Sequence, residues 1–131
     1  LSNSPRIAVV DDDEAVRESL SDLLQVLDLP CRSFDRAEAF LTAYASGAFT
    51  CLITDLRMPG IGGVELLRRM KALGGPMPVI VITSSTDHST HRDVMENGAM
   101  ACLTKPIRDE ELIHHLRALG YDCDKGRGGG R

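Results

Sequence analysis

Ile7-Ala8-Val9-Val10-Asp11-Asp12-Asp13-Glu14 decides the fold: a short apolar run that ends in four acids. The theme recurs with variations. Cys51-Leu52-Ile53-Thr54 ends in Asp55 and the loop Leu56-Arg57-Met58-Pro59-Gly60. Val79-Ile80-Val81-Ile82 ends in Thr83-Ser84, and Ala101-Cys102-Leu103-Thr104 ends in Lys105-Pro106. Short, nearly all-apolar runs suit strands covered on both faces, which is how parallel sheets read. In a parallel sheet the carboxylates, hydroxyl and ammonium that end these runs converge on one edge.

Between the runs lie amphipathic segments. Asp13 or Glu14 can cap a helix over Ala15 to Leu27, whose Val16, Leu20, Leu23, Leu24 and Leu27 make one apolar stripe. Pro30 stops it, and Cys31-Arg32-Ser33-Phe34 is a short second strand. Asp35 precedes a helix over Ala37 to Tyr44; a helix from Val64 to Leu73 presents Leu66, Leu67 and Met70. A polar helix runs from Ser89 to Glu96, and the last, Glu110 to Leu119, turns Leu112, Ile113, Leu116 and Leu119 inward. The βα unit thus repeats five times. Right-handed crossovers leave few topologies, and the α/β, flavodoxin-like (βα)5 sandwich, with a five-stranded parallel sheet in the order 2-1-3-4-5, fits best. Ligands of such sheets bind at the carboxyl ends of the strands.

The chain has 131 residues, enough for one domain with its own core. The domain is expected over 1–120, with 121–131 a flexible Gly-rich tail or linker remnant. A net charge of −4 argues against direct nucleic-acid binding by this domain. Cys31, Cys51, Cys102 and Cys123 form no CxxC pair and read as reduced thiols of a cytoplasmic protein. No apolar run approaches the roughly 18 residues of a membrane span, so no membrane partner is expected. The first residue is Leu1 rather than Met, as in a processed or excised piece. His88, His91, His114 and His115 have no metal-ligand spacing and read as surface histidines, and Arg68, Arg69 and Lys71 as a solvated basic face.

Asp11, Asp12 and Asp55 cannot stay close as bare carboxylates; protons or a cation must neutralise them. A hard divalent ion, Mg²⁺ or Mn²⁺, suits oxygen ligands and leaves room for phosphate oxygens. An aspartate oxygen left free can attack phosphorus to give an acyl phosphate. Lys105 and the Thr83 hydroxyl then supply partners for the phosphoryl oxygens.

These residues resemble the receiver domain of two-component response regulators, CheY-like and most similar to the FixJ-type subgroup. The resemblance spans about Arg6 to Leu119. It rests on Val9-Val10-Asp11-Asp12-Asp13, Asp55-Leu56-Arg57-Met58-Pro59-Gly60, Thr83-Ser84 and Leu103-Thr104-Lys105-Pro106, in order and at strand ends. It implies that Asp55 accepts a phosphoryl group from a sensor histidine kinase, with Thr83 and Lys105 binding that group. Asp12 is implied as a direct metal ligand, Asp11 as a water-mediated one, and the backbone carbonyl of Arg57 as a third protein ligand alongside Asp55. Lys105-Pro106 is implied to be cis. Thr83, Ser84, Cys102 and Pro106 are the implied switch positions. Phosphorylation is expected to alter the surface near residues 84–119 for homodimerisation or output control. The subgroup often carries a DNA-binding output domain serving transcription regulation, which this chain lacks.

Cys102 departs from the family, which usually places Tyr or Phe there; the switch is then expected to run through the loop after Thr83 and the polar helix. Arg57 and Ser85 are placed to tune the lifetime of the phosphate. The rival enzyme is an aspartate-nucleophile phosphatase of the haloacid dehalogenase type, for which Asp11-x-Asp13 fits literally. Glu14-Ala15 starts a helix where that family turns, and the chain has no residues for a cap. A flavin site would need a Ser/Thr-Gly-rich loop after the first strand. A phosphorylation-inert binding module is opposed by the intact Asp55, Thr83 and Lys105. The expectation is a phosphoacceptor switch rather than a turnover enzyme.

Overall fold

The computed structural model describes residues 6–44, 49–74 and 77–123. Ten elements alternate without exception: β1 (Arg6–Val10), α1 (Glu14–Val26), β2 (Cys31–Phe34), α2 (Ala37–Tyr44), β3 (Phe49–Asp55), α3 (Gly63–Ala72), β4 (Val79–Thr83), α4 (His88–Glu96), β5 (Ala101–Thr104) and α5 (Asp109–Ala118). The five strands form one sheet in the order β2-β1-β3-β4-β5, all neighbours parallel. The expected topology is therefore the observed one. β3 begins two residues earlier than its apolar run, because Phe49 pairs with Arg6 and packs its ring against Phe34 and Phe40.

Alternation of side chains along the strands divides the core into two layers. Ile7, Val9, Cys51, Ile53, Ile80, Ile82 and Leu103 face α1 and α5, where they meet Leu20, Leu24, Leu27, Leu112 and Leu116. Ala8, Val10, Leu52, Val79 and Val81 face α2, α3 and α4, where they meet Phe40, Leu66, Met70 and Val94. β4 is buried along its whole length, which explains why its sequence shows no polar alternation. Each large side chain so enclosed contributes about 1.5–3 kcal/mol relative to exposure. The helix stripes thus choose the layer, and the layers hold the strand ends level.

The packing continues past Leu119. Tyr121 packs against the α1–α5 layer and its hydroxyl meets Thr50 Oγ1, while Cys123 is buried in the same layer. The sequence boundary had the tail start at 121; residues 124–131 lie outside the described residues. Cys51 and Cys123 are buried, Cys31 and Cys102 half-buried, and none is in a disulfide. Among the described residues, no helix is long and apolar enough to cross a membrane.

Candidate functional site

The sheet register builds the site. Val10 pairs with Thr54, Asp55 with Ile82, and Thr83 with Thr104. Asp11, Asp55, Thr83 and Lys105 consequently stand side by side at the carboxyl edge. Their placement is held by backbone bonds: Leu56 N–H donates to Ile82 O at 2.9 Å, and Lys105 N–H donates to Thr83 O at 2.7 Å.

Asp11 is fully buried. Its Oδ1 accepts from Asp13 N–H at 2.9 Å, and its carbonyl accepts from Arg17 Nη1 at 2.7 Å. Asp13 itself turns away to cap α1, accepting from Ala15 N–H at 2.9 Å. This turn explains the run of acids. One holds the pocket floor, Asp12 is exposed at the rim, and the third starts the helix, where an acid is favoured.

Lys105 Nζ lies 3.2 Å from Asp11 Oδ2 and 3.2 Å from Asp55 Oδ1. Asp55 Oδ1 also accepts from Leu56 N–H at 3.0 Å, which leaves Oδ2 outside both interactions. Burial, then the neighbouring Asp11 charge, pushes the Asp55 carboxyl above its ordinary pKa, despite the opposing pull of Lys105 and the Leu56 amide. Burial works to lower the Lys105 pKa, but the two carboxylates outweigh it and hold the ammonium above its usual value. Thr83 is buried, and its Oγ1 accepts from Ser85 N–H at 3.0 Å. A cleft of about 340 Å³ opens over these groups, lined by Asp55, Arg57, Thr83, Ser84, Ser85 and Lys105.

The acidic side of the pocket suits a cation. One carboxylate oxygen from each of Asp11, Asp12 and Asp55 lies within 4.8 Å of the others. Asp11 Oδ2 is buried and, among the described residues, meets the Lys105 ammonium at 3.2 Å with no further hydrogen bond. A three-carboxylate oxygen set that includes a buried oxygen met by Lys105 alone among the described residues fits Mg²⁺ or Mn²⁺ and disfavours softer metals.

The other sequence candidates fall as follows. Lys105-Pro106 is cis. Ser84 is exposed beside Thr83, and Arg57 is exposed at the cleft mouth. Cys102 is not in the pocket; it sits half-buried on β5, against the layer of α2, α3 and α4. Two participants escaped the sequence reading. Arg17 braces the Asp11 carbonyl from one turn into α1, a link visible only once the helix direction is known. His91 is not a free surface histidine: its ring is half-buried between α4, the loop after β4, and β5.

A doubly wound parallel sheet thus brings an acidic pocket, a hydroxyl and a lysine together at its carboxyl edge. The chain belongs to the response regulator receiver domain family, whose profile matches residues 7–117. It is 43% identical over 122 residues to the transcriptional regulatory protein FixJ of Azorhizobium caulinodans, covering 92% of this chain and 58% of that protein. Identity to FixJ of Bradyrhizobium diazoefficiens is 40% over 112 residues, covering 86% and 55%. The response regulator protein TodT of Pseudomonas putida is 38% identical, covering 86% and 49%. The chain therefore spans about half the length of these curated relatives. Among solved structures, FixJ-N superposes with a TM-score of 0.79 at 35% identity, covering 88% of this chain and 92% of that one. The chain is thus a receiver domain of two-component response regulators, similar to those of FixJ and TodT.

Proposed function

We propose that this receiver is a switch thrown by phosphoryl transfer to Asp55. The observation that carries the reading is the convergence of Lys105 Nζ, at 3.2 Å from both Asp11 and Asp55, with buried Thr83 beneath one cleft. Asp55 Oδ2, the oxygen not engaged by Leu56 and Lys105, attacks the phosphorus of the donor. The new O–P bond forms as the bond from phosphorus to the leaving atom breaks, and the bonding pair departs with the leaving group. Lys105 then exchanges part of its contact with Asp55 for a phosphoryl oxygen, and the Thr83 hydroxyl turns from Ser85 N–H to donate to another. A bound Mg²⁺ or Mn²⁺ would neutralise charge between the carboxylates and the incoming phosphoryl group. Asp12 and Asp55 are the proposed direct ligands with the Arg57 carbonyl, and Asp11 a water-mediated one.

The donor in this reading is a sensor histidine kinase. The product shifts a pre-existing equilibrium of the surface spanning residues 84–119, which then dimerises or engages an output partner such as a DNA-binding domain. A bias of a few kcal/mol suffices for such a shift. The domain turns over no substrate beyond loading and losing its own phosphate.

Intact-protein mass after incubation with acetyl phosphate tests this directly. A gain of one phosphoryl group that requires Mg²⁺ and is lost in Asp55→Asn is the expected result. Steady release of inorganic phosphate with no adduct would refute the switch and favour a phosphatase.

A further inference from the structure

The half-buried ring of His91 has no role in the pocket chemistry, yet it touches both elements that flank Thr83. His91 lies in the first turn of α4, and its Nε2 is 2.8 Å from the Ser85 carbonyl and 3.4 Å from Thr104 Oγ1. A carbonyl oxygen only accepts, so Nε2 must carry the hydrogen and donate; the Thr104 hydroxyl is then a second acceptor for the same N–H. Both neighbours are wired to Thr83. Ser85 donates its N–H to Thr83 Oγ1 at 3.0 Å, and Thr104 is the strand partner of Thr83 on β5. Cys102 lies two residues before Thr104 on the same face of β5, so this strip carries a small thiol and a hydroxyl, and among the described residues the ring bonded to it comes from α4.

We propose that His91 is the positioning residue that carries the movement of Thr83 to α4 and β5, a ring supplied by the helix where β5 offers only Cys102. The inference rests on the reading that Asp55 takes a phosphoryl group and Thr83 responds. When the Thr83 hydroxyl turns toward that group, Ser85 N–H loses its acceptor and the Ser85 peptide reorients. That peptide joins Ser84 to Ser85, so its rotation displaces the Ser85 Cα and with it the Ser85 carbonyl of the next peptide; the His91 N–H bonded to that carbonyl is partly buried and costly to leave unpaired. The His91 ring follows the carbonyl, and because the ring is fixed to α4, the helix moves relative to β5. The bond survives in both the neutral ring bearing its hydrogen on Nε2 and the cationic ring, so the link does not depend on a change of charge.

The test uses the 131-residue chain, ¹⁵N-labelled, with Mg²⁺ and acetyl phosphate, in wild type, His91→Ala, His91→Gln and Thr104→Val. Intact mass reads phosphorylation, and backbone amide shifts of Ser85, Val94 and Cys102 read propagation. All four proteins are expected to load phosphate at rates within about twofold of one another, because none of the changed groups lines the pocket. In His91→Ala the shift change at Ser85 persists, while those at Val94 and Cys102 fall to less than about half of wild type. His91→Gln places an amide N–H within reach of the Ser85 carbonyl and recovers most of the loss. Thr104→Val keeps the shape and reduces the change at Cys102 while sparing Val94. Full propagation in His91→Ala would overturn the proposal, as would His91→Gln responding no better than alanine while folding as well as wild type. Absence of an adduct on wild type would overturn the phosphoacceptor reading itself, and this inference with it.

Discussion

Asp55→Asn should make the metal-free protein more stable at neutral pH, although it removes the group on which the proposed function depends. Oxygens of Asp11, Asp12 and Asp55 lie within 4.8 Å of one another, with Asp11 fully buried and Asp55 7% exposed. At that distance and an effective dielectric of about 20, a pair of carboxylates repels by about 3–4 kcal/mol. Lys105, 3.2 Å from Asp11 and Asp55, returns much of this, but its side chain is 21% exposed and its field partly screened. The desolvation of Asp55 remains, and it is the largest influence raising its pKa. The balance left against the ionised form is on the order of 1–2 kcal/mol.

The direction of the pH dependence follows from the raised pKa. A carboxyl that holds its proton more tightly in the fold stabilises the fold fully below its ordinary value of 3.8, and that contribution is lost as pH rises through the folded value. Asparagine keeps the shape, still accepts from Leu56 N–H, and never ionises. Urea unfolding in EDTA, followed by far-UV circular dichroism, should therefore show Asp55→Asn ahead by about 1–2 kcal/mol at pH 7, roughly 4–8 °C in Tm. The advantage should shrink as the pH is lowered toward 3.8. Saturating Mg²⁺ should narrow it from the other side, since an ion that binds the native carboxylates stabilises wild type by mass action. A variant less stable than wild type at pH 7 in EDTA, or a difference flat across pH, would refute the electrostatic account of the pocket.

Three further outcomes are expected. A Cβ at Gly63 would stand 2.9 Å from both Asp55 O and Leu56 Cα, so Gly63→Ala should cost about 1–3 kcal/mol in urea unfolding and slow adduct formation from acetyl phosphate by displacing the Asp55 backbone. Arg57 lines the mouth of the cleft and is long enough to cover it; Arg57→Ala should change the autodephosphorylation rate about threefold or more, followed by mass after donor removal, and an unaltered rate would contradict a shielding role. Burial pushes the Cys51 thiol up to about 12, so in thiol labelling at pH 8 Cys51 should react only on unfolding, while half-buried Cys102, whose thiol burial also pushes up, should react in the native state but more slowly than a free thiol.

Much of this protein was legible without coordinates, for a definite physical reason. A doubly covered parallel strand must be apolar throughout, so each strand announces itself and its last residue marks the sheet edge. Thus β2, β5 and helix α2 have the bounds read from the sequence, and the other helices differ at their ends by one residue, where capping is a matter of local geometry. The spacing of Asp11, Asp55, Thr83 and Lys105 sufficed to place all four on one edge.

Other features depend on distances between residues far apart in the chain, which no local pattern encodes. The four acids after β1 look alike in sequence; only the turn into α1 makes Asp11 a buried pocket floor, Asp12 a rim group and Asp13 a cap. Lys105 could have met one carboxylate or none, and the register of β5 on β4 and of β3 on β1 sets it between two. Tyr121 and Cys123 carry no periodicity, yet both pack on the α1–α5 layer, with the Tyr121 hydroxyl at Thr50 on β3. His91 seemed an ordinary polar residue of an exposed helix until α4 lay against β5 and brought its ring to Ser85 and Thr104. Sequence determined which chemistry arrives at the sheet edge, because hydrophobic pattern and chain order are local properties. Tertiary packing decided which groups touch and which are dry, because contact and burial belong to the assembled layers alone.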